Sequence, residues 1–272
     1  MTVVNIKTIY YRGHLRSCNY RCPYCPFRSG QYDLAADEAA LNKFCAKISE
    51  FGNELTIMLI PHGEAMIHEY YHKAIAALCR YEHVKTVGCQ TNLSFNVKNF
   101  ADNIKDYNYK VSLWCTFHPS QVKLDTFLRQ CGKLYDCGIK FCAGAVGHPV
   151  YIPLLKEMRS RLPEDIYMWV NALKGFGRDY TKEEVADFIG IDPFFKLELQ
   201  EFIADSKLCI AGRESVFTDG NGDIFACNIS KVRLGNLYAG EKIKTESICK
   251  AEKCSCYLAY SNRIEVPRGV RI

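Results

Sequence analysis

The first residues able to do chemistry are three closely spaced cysteines, in the run Cys18-Asn19-Tyr20-Arg21-Cys22-Pro23-Tyr24-Cys25. Their spacing is C-x3-C-x2-C, so three thiolates fall within one short segment. An iron–sulfur cube is normally held by four cysteine thiolates. Three local ligands leave one iron of a 4Fe–4S cube open, and an open metal position is where substrate or cofactor chemistry takes place. The triplet therefore predicts a reactive iron–sulfur site.

A zinc site or a buried structural cysteine cluster is the alternative interpretation of the triplet. Structural zinc takes four ligands in a closed tetrahedron, and free cysteine also packs as a small apolar side chain. No fourth Cys or His follows closely after Cys25, and His14 is the only nearby candidate. We favour the iron–sulfur cluster because features further along the chain agree with it.

The composition is that of a globular protein, with 272 residues, 48 % apolar and 24 % charged, and a net charge of +5. This length predicts one large domain, or a domain with a small appendage. No apolar run is long enough to span a membrane, and the first residues lack the layout of a signal peptide. Lys and Arg are scattered, which gives no indication of nucleic-acid binding. We expect a cytoplasmic protein that binds neither membrane nor nucleic acid.

The chain contains fifteen cysteines, which is many for its length. Without a signal peptide, metal binding by reduced cysteines is a better interpretation than disulfides. Besides the triplet, five cysteines lie late in the chain: Cys209, Cys227, Cys249, Cys254 and Cys256. The other seven are spread through predicted helices and strands, where we expect them to pack as small apolar residues.

From Val3 to about Ala172 the chain alternates between strand-like and helix-like segments. Strands are predicted at Val3–Tyr11, Glu54–Ile60, His83–Thr91, Lys110–Phe117, Lys140–Val146 and Ile166–Ala172. Helices are predicted at Leu34–Phe51, Glu69–Arg80, Val97–Ile104, Gln121–Asp136 and Ile152–Arg161, with Asp33 and Ser120 as N-caps and Gly138 after a C-terminus. Six such units predict an α/β fold with a parallel sheet and right-handed crossovers. Periodicity alone leaves an open sheet and a partial barrel as alternatives.

The pattern changes after about Tyr180. Short helices are predicted at Lys182–Phe188 and Phe194–Ile203, followed by a hairpin with strands Glu214–Thr218 and Asp223–Cys227. Between these strands lies Asp219-Gly220-Asn221-Gly222, and Asn-Gly is the strongest short hairpin signal. We divide the chain into a main domain (1–180), a helical connection (181–204), a cysteine-rich domain (205–262) and a tail (263–272).

The triplet, with the aromatic Tyr24 before its third cysteine, resembles the signature of the radical S-adenosylmethionine (SAM) superfamily. In that family the open iron binds the amino and carboxylate groups of SAM. One electron from the cluster then splits SAM into methionine and a 5′-deoxyadenosyl radical, which abstracts a hydrogen from the substrate. The resemblance implies a partial (β/α)6 barrel with the cluster in the loop after the first strand, and flavodoxin or ferredoxin as electron donor.

Further resemblances lie at the ends of the second and third predicted strands. Gly63 and Glu64 stand where the family has a Gly-Gly-Glu-Pro run that contacts the SAM amino group, although His62 and Ala65 depart from it. Asn92 lies at the end of the third predicted strand, which in the family is close to the methionine part of SAM. The alternative for Glu64 is an exposed glutamate that stabilises a helix N-terminus. The alternative for Asn92 is an N-cap or turn asparagine.

Three later strands supply the remaining candidates. Alternation places Thr116 and His118 on one face of the fourth strand. If that face is the barrel interior, Thr116 bonds the ribose hydroxyls and His118 is a general base or a substrate hydrogen-bond partner; a structural histidine is the alternative. Gly144 suits the close approach of adenine, although a tight turn explains it equally, and Asn171 is a similar candidate.

The late cysteines resemble the twitch appendage of radical SAM enzymes, a shortened SPASM domain with one auxiliary 4Fe–4S cluster. In that appendage two ligands flank a β-hairpin, as Cys209 and Cys227 do, and two follow it. The spacing C-x4-C-x-C departs from the expected C-x2-C. The resemblance therefore leaves open which two of Cys249, Cys254 and Cys256 complete the set, and a zinc knuckle is the alternative.

These resemblances imply a radical SAM oxidoreductase with two 4Fe–4S clusters. An auxiliary cluster can accept the second electron, so we expect a two-electron oxidation, either dehydrogenation or oxidative bond formation. Because the first predicted strand begins near residue 1, we expect no peptide-recognition domain before it, which favours a small molecule or a peptide delivered by a partner. The alternatives are a redox-neutral epimerase or isomerase, which would need a barrel-facing cysteine as hydrogen donor, and a non-catalytic zinc scaffold.

Overall fold

The structure is a computed structural model that describes residues 6–27, 33–175, 177–200, 202–203, 208–230, 232–241, 243, 249, 251–254 and 262–264. Val3, Cys256 and the end of the predicted tail lie outside the described residues. Within the described ranges, no helix combines the length and the apolar character needed to cross a membrane.

Strands and helices alternate along most of the chain, as the sequence predicts. The strands are β1 Thr8–Tyr11, β2 Leu55–Leu59, β3 Val84–Thr91, β4 Val111–Phe117, β5 Lys140–Gly147, β6 Met168–Ala172, β7 Phe202–Ile203, β8 Ser215–Thr218, β9 Asp223–Phe225, β10 Arg233–Asn236 and β11 Lys253–Cys254. The helices are α1 Leu34–Ile48, α2 Glu69–Cys79, α3 Val97–Asn103, α4 Leu124–Asp136, α5 Ile152–Arg161, α6 Lys182–Ile191 and α7 Phe195–Leu199.

The strands that the structure describes form one large sheet and one small one. The large sheet has nine strands in the order β10-β9-β8-β1-β2-β3-β4-β5-β6, and β11 pairs with β7 in the small sheet. Strands β1 to β6 are parallel, which confirms the predicted mixed α/β fold with a mostly parallel sheet. The predicted hairpin, β8–β9, joins the same sheet because β8 pairs in parallel with β1, with Ile9 opposite Val216.

The two faces of the large sheet bury different side chains. A small cluster on one face joins Tyr10, Met58, Ile60, Trp114, Trp169 and Phe217. Trp114 on β4 and Trp169 on β6 meet at 5.4 Å between ring centroids, although β5 lies between their strands. The sheet therefore curves toward this face, which we call the concave face. Cys115 belongs to the larger core on the opposite face. The predicted alternation along β4 is therefore confirmed, because Trp114 and Cys115 lie in different clusters.

Two of the three predicted helix caps are present in the structure. Asp33 accepts a hydrogen bond from Ala36 N (3.0 Å), and Gly138 has a φ of +65°, as the predicted caps require. Ser120 was wrong as an N-cap, because α4 begins at Leu124. The N–H groups of Gln121 and Val122 both donate to the His118 carbonyl, so this segment is a turn instead.

Gly144 on β5 has no space for a side chain. A Cβ there would overlap the indole and the carbonyl oxygen of Trp169 on the neighbouring strand. Gly144→Ala is expected to lower the free energy of unfolding by ~1–3 kcal/mol, because overpacking displaces a core indole. Urea unfolding measures this, with Gly190→Ala as the control.

Gly190 lies on α6, and no heavy atom comes within 4 Å of the position that a Cβ would take. Alanine there is expected to raise stability by up to ~1 kcal/mol, since it favours helix. Equal stability of wild type and Gly144→Ala would mean that Trp169 does not fill this space.

Candidate active site and cysteine centres

The segment that carries the triplet lies directly on the end of β2. The Gly63 N–H donates to the Leu15 carbonyl (3.2 Å), and the Glu64 N–H donates to the Ser17 carbonyl (2.9 Å). A Cβ on Gly63 would overlap the Ser17 carbonyl oxygen and lie 2.9 Å from the Arg16 carbonyl carbon. Gly63 is therefore needed for the close approach of the two backbones.

A cavity of about 740 Å³ opens beside the triplet, at the carboxyl ends of the parallel strands. Its volume lies in the range of small-molecule sites. It is lined by all three triplet cysteines and by six other predicted site residues: Tyr24, Gly63, Glu64, Asn92, Thr116 and His118. The structure thus brings together residues from the triplet segment and from the ends of β2, β3 and β4.

The three thiols of the triplet lie close enough to influence one another. Burial raises the pKa of Cys22 to about 11, and the neighbouring Cys18 and Cys25 thiols add to this shift. Burial also raises the pKa of Cys18, while a hydrogen bond from the Tyr20 N–H to its sulfur (3.4 Å) opposes the shift. A positively charged group beside Cys18 and Cys22 would favour their thiolate forms, as a bound metal cluster does.

Glu64 joins the ends of two strands. Its carboxylate accepts hydrogen bonds from Met66 N (3.1 Å), Thr91 Oγ1 (2.7 Å) and Asn92 N (2.6 Å). The residue is only 4 % exposed, which excludes the exposed glutamate considered above, and burial raises its pKa to about 7 against those three hydrogen bonds. A carboxylate has about four acceptor positions, so one is left for a ligand in the cavity.

Asn92 is turned toward the triplet segment. Its Nδ2 donates to Asn19 Oδ1 (3.0 Å) and lies 4.0 Å from Cys18 Sγ. The next residue, Leu93, has a φ of +60°, a conformation that non-glycine residues adopt rarely, and its N–H donates to Thr91 Oγ1 (2.9 Å). The turn after β3 is therefore strained, and it carries a side chain that reaches a triplet sulfur.

His118 pairs with Tyr24 at the cavity wall. The Tyr24 hydroxyl lies 2.9 Å from His118 Nδ1. Burial lowers the pKa of His118 to about 4, so its imidazole is neutral at pH 7. Of its two predicted roles, this environment favours a hydrogen-bond partner, because a general base works best with a pKa near the operating pH.

Gly144 and Asn171 do not belong to the cavity lining. The predicted contact of Gly144 with adenine conflicts with the packing of Trp169, whose indole fills the space at this glycine. Asn171 lies opposite Val146, which does line the cavity, and its buried Oδ1 has no hydrogen-bond partner in the part of the chain that is described.

A contact missed by the sequence analysis joins the cavity to the late part of the chain. Arg12 Nη1 lies 2.7 Å from His62 Nε2 and donates to Asn228 Oδ1 (3.1 Å), while its guanidinium stacks over Phe217 at 4.9 Å. Asn228 adjoins Cys227. The sequence shows that His62 replaces the first glycine of the family motif. No sequence pattern indicates that Arg12 is its partner.

Four of the late cysteines line one small, mostly apolar cavity: Cys209, Cys227, Cys249 and Cys254. Burial raises the pKa of Cys209 to about 11, with further contributions from the other three thiols. Cys254 lies on β11, and Cys227 Sγ accepts a hydrogen bond from Ser230 N (3.1 Å). The structure therefore brings Cys249 and Cys254 to the same cavity as the two hairpin cysteines. Cys256, the third downstream candidate, lies outside the described residues.

Neither cysteine group is arranged around a single ion. Within the described ranges, no three Cys, His, Asp or Glu side chains are placed to hold one metal ion. His14, the candidate fourth zinc ligand, packs its ring against Gly220 in the hairpin. A zinc ion draws its ligands to one centre, and no such grouping is found among the described residues.

Comparison with known proteins gives a likeness in fold. No family model and no curated protein matches the sequence. The structure of anSMEcpe with bound AdoMet (SAM) matches with a TM-score of 0.58 at 12 % identity, over 85 % of this chain and 78 % of that one. The structure with AdoMet and a Kp18Cys peptide matches with a TM-score of 0.57 at 12 % identity, over 85 % and 77 %.

A third structure, BtrN in complex with AdoMet and 2-DOIA, has 14 % identity over 86 % of this chain and 79 % of that one. Its TM-score of 0.44 is too low to support an argument. The anSMEcpe likeness shows that this chain shares its fold, a mixed α/β structure built on a large, mostly parallel sheet.

The backbone contact at Gly63 gives a prediction that needs no ligand. Gly63→Ala is expected to detach the triplet segment, because the Cβ meets the Ser17 carbonyl and breaks two hydrogen bonds. Amide hydrogen exchange in residues 12–27 should become roughly fivefold to thirtyfold faster. Gly52→Ala, with no heavy atom within 4 Å, is the control and should leave this exchange unchanged. Equal protection in both variants would contradict the proposed contact.

Proposed function

We propose that this chain is a radical SAM enzyme with an auxiliary iron–sulfur cluster, which oxidises its substrate by two electrons. In this proposal Cys18, Cys22 and Cys25 hold a 4Fe–4S cluster with one iron left open to SAM. When bound, this cluster supplies the electron that cleaves SAM into methionine and the 5′-deoxyadenosyl radical, which takes a hydrogen atom from the substrate.

The observation that carries the proposal is the position of the triplet on the cavity wall. All three triplet cysteines line a cavity of about 740 Å³ at the carboxyl edge of a parallel sheet. Among the described residues, no group of three Cys, His, Asp or Glu is placed to hold a single metal ion. Ligands of α/β proteins bind at this edge. A purely structural metal site would be closed by a fourth ligand and would not border a cavity.

The cavity wall offers groups that suit the parts of SAM. The fourth acceptor position of Glu64 and the neighbouring backbone suit an ammonium group, and Asn92 stands beside Cys18. Thr116 lies on the concave side of β4 and suits the ribose hydroxyls. The AdoMet bound by anSMEcpe, a protein of the same fold, agrees with this assignment. Together these features support a partial-barrel interpretation of the concave sheet.

The second group of thiols supports the auxiliary cluster. We assign Cys209, Cys227, Cys249 and Cys254 as its ligands, because all four line one cavity. This cavity lies in the region predicted as the twitch-like domain, while the hairpin itself continues the large sheet through β8. Four ligands close the cluster, which suits a group that accepts an electron and does not bind substrate.

The distribution of cysteines favours oxidation over a redox-neutral reaction. An epimerase needs a hydrogen donor in the cavity, and no cysteine outside the triplet lines it among the described residues. Cys142 is on the concave face of β5 but packs against the cluster that contains Trp114 and Trp169. The protein's part is to hold the substrate and exclude water.

The substrate class and the redox partner remain as the sequence suggests. We propose a small molecule or a peptide as substrate, and the peptide present in one anSMEcpe structure supports keeping the second class. Flavodoxin or ferredoxin is proposed as the electron donor. A cytoplasmic location fits the sensitivity of an open iron–sulfur site to oxygen.

The direct test is SAM cleavage by anaerobically reconstituted protein with dithionite. We expect wild type to form 5′-deoxyadenosine, detected by liquid chromatography and mass spectrometry. Cys22→Ala should reduce this to background, because it removes a ligand of the open cluster. Cys137→Ala, which changes a partly exposed cysteine at the end of α4, should retain the activity.

Two results would count against the proposal. One is an iron-loaded wild type that forms no 5′-deoxyadenosine. The other is equal formation by wild type and Cys22→Ala, which would mean that the cleavage does not depend on the triplet.

A further inference from the structure

A second, smaller opening of about 230 Å³ lies beside the triplet segment. Its lining comes from Tyr20, from residues 92–94 after β3, and from residues 122–133 around α4, and we call it the α4 groove. Tyr20 and Asn92 line the main cavity as well, so the two openings share a wall.

Both residues of the shared wall lie against the first sulfur of the triplet. The Tyr20 N–H donates to Cys18 Sγ (3.4 Å), and Asn92 Nδ2 lies 4.0 Å from the same atom. A molecule in the α4 groove is therefore separated from this sulfur by the two residues of the wall. Electron transfer slows steeply with distance, so this groove offers a short route from the protein surface to the triplet.

The α4 groove is held in shape by hydrogen bonds on both sides of the helix start. Gln130 Nε2 donates to the carbonyls of Leu93 (3.3 Å) and Phe95 (2.7 Å), which fixes α4 to the turn after β3. The Arg21 N–H donates to Gln121 Oε1 (2.9 Å), which fixes the turn before α4 to the triplet segment. A surface formed before its partner arrives lowers the cost of binding.

One face of α4 gives the groove a positive rim. Arg129 and Lys133 are exposed, and both line the groove. Their side chains lie along the helix, since Arg129 Nη2 donates to Thr126 Oγ1 (3.4 Å) and Lys133 Nζ donates to Gln130 Oε1 (2.8 Å). These four residues have the i, i+3, i+4, i+7 spacing of a single helix face.

This positive charge is not neutralised within the described part of the chain. Neither Arg129 nor Lys133 belongs to an ion pair there. No Asp or Glu lines the α4 groove among the described residues. The acidic residue in the first turn of α4, Asp125, pairs instead with Arg161 on α5 (2.7 Å). The groove therefore complements a negatively charged surface.

We propose that the α4 groove is the docking surface of an acidic one-electron carrier protein, which reduces the cluster held by the triplet. One electron leaves the reduced carrier and enters the cluster, and no bond forms or breaks. Small interfaces are typical of such encounters, and complementary charge mainly raises their association rate. This inference rests on the proposed function, because it takes the triplet as the ligands of a reducible cluster.

The test compares two reductants of the reconstituted full-length protein. One is flavodoxin, an acidic carrier, kept reduced by NADPH and its reductase; the other is dithionite, a small ion that needs no docking surface. Arg129→Glu/Lys133→Glu is expected to slow 5′-deoxyadenosine formation with flavodoxin about tenfold to a hundredfold, because the steering charge is reversed. Formation with dithionite should be unchanged. Biolayer interferometry should show weaker flavodoxin binding by the variant, and wild-type binding should weaken as salt is added.

Lys85→Glu/Lys140→Glu is the matched control. It makes the same change in net charge at exposed residues, but at the amino ends of β3 and β5, on the opposite edge of the sheet. Its rate with flavodoxin should stay within about twofold of wild type, since salt screens distant charges. If Arg129→Glu/Lys133→Glu fails to fold, Arg129→Gln/Lys133→Gln replaces it, with a smaller loss expected in the same direction.

Three outcomes overturn the inference: equal rates and binding with flavodoxin in wild type and the groove variant, an equal loss in the control, or a wild type that cleaves SAM with dithionite but with neither flavodoxin nor ferredoxin. A wild type that forms no 5′-deoxyadenosine even with dithionite would instead overturn the proposed function.

Discussion

The close contact between two backbones at the end of β2 determines the geometry of the whole site. Gly63 and Glu64 donate their N–H groups to carbonyls of the segment that leads into the triplet, and only glycine permits this approach. The Glu64 carboxylate also accepts hydrogen bonds from Thr91 and Asn92 at the end of β3. The position of the first thiol relative to the cavity therefore depends on two adjacent residues, one acting through the lack of a side chain and the other through a buried carboxylate.

The parallel pairing of β8 with β1 links the two cysteine centres. The triplet follows β1, and Cys209 and Cys227 flank the β8–β9 hairpin, so both centres are built around neighbouring strands of one sheet. Arg12 reinforces this link through His62 on the cavity side and Asn228 beside Cys227. The segment that carries the late cysteines is therefore held against the main sheet through β8 and Arg12. The electron transfer proposed between the two centres would use this fixed relation.

Much of the fold could be predicted because its signals are local. The strands are short apolar runs bounded by turn residues, and the Asn-Gly hairpin formed where the sequence indicated it. The start of α4 was missed because a tertiary contact fixes the preceding turn: Gln121 Oε1 accepts from the Arg21 N–H of the triplet segment. The pairing of β8 with β1 joins residues about 200 positions apart, and no local pattern records it.

The difference between local signals and long-range contacts also decides how much of the site could be predicted. Residue types and spacing identified the triplet and the candidates at the strand ends, because parallel strands bring their carboxyl ends together. They did not show that three donors occupy Glu64, that Trp169 fills the space at Gly144, or that Cys249 and Cys254 converge with the two hairpin cysteines. Each of these depends on which side chain meets another across the fold.

The measurement that tests the central claim most directly is the iron and sulfide content of anaerobically reconstituted protein. Two separate cubes require about eight iron atoms in wild type and about four in a Cys18/Cys22/Cys25→Ala variant. Cys254→Ser should also retain about four, whereas Cys256→Ser should keep about eight. A wild type with only about four iron atoms, or one that binds zinc in place of iron, would contradict the account of two iron–sulfur centres.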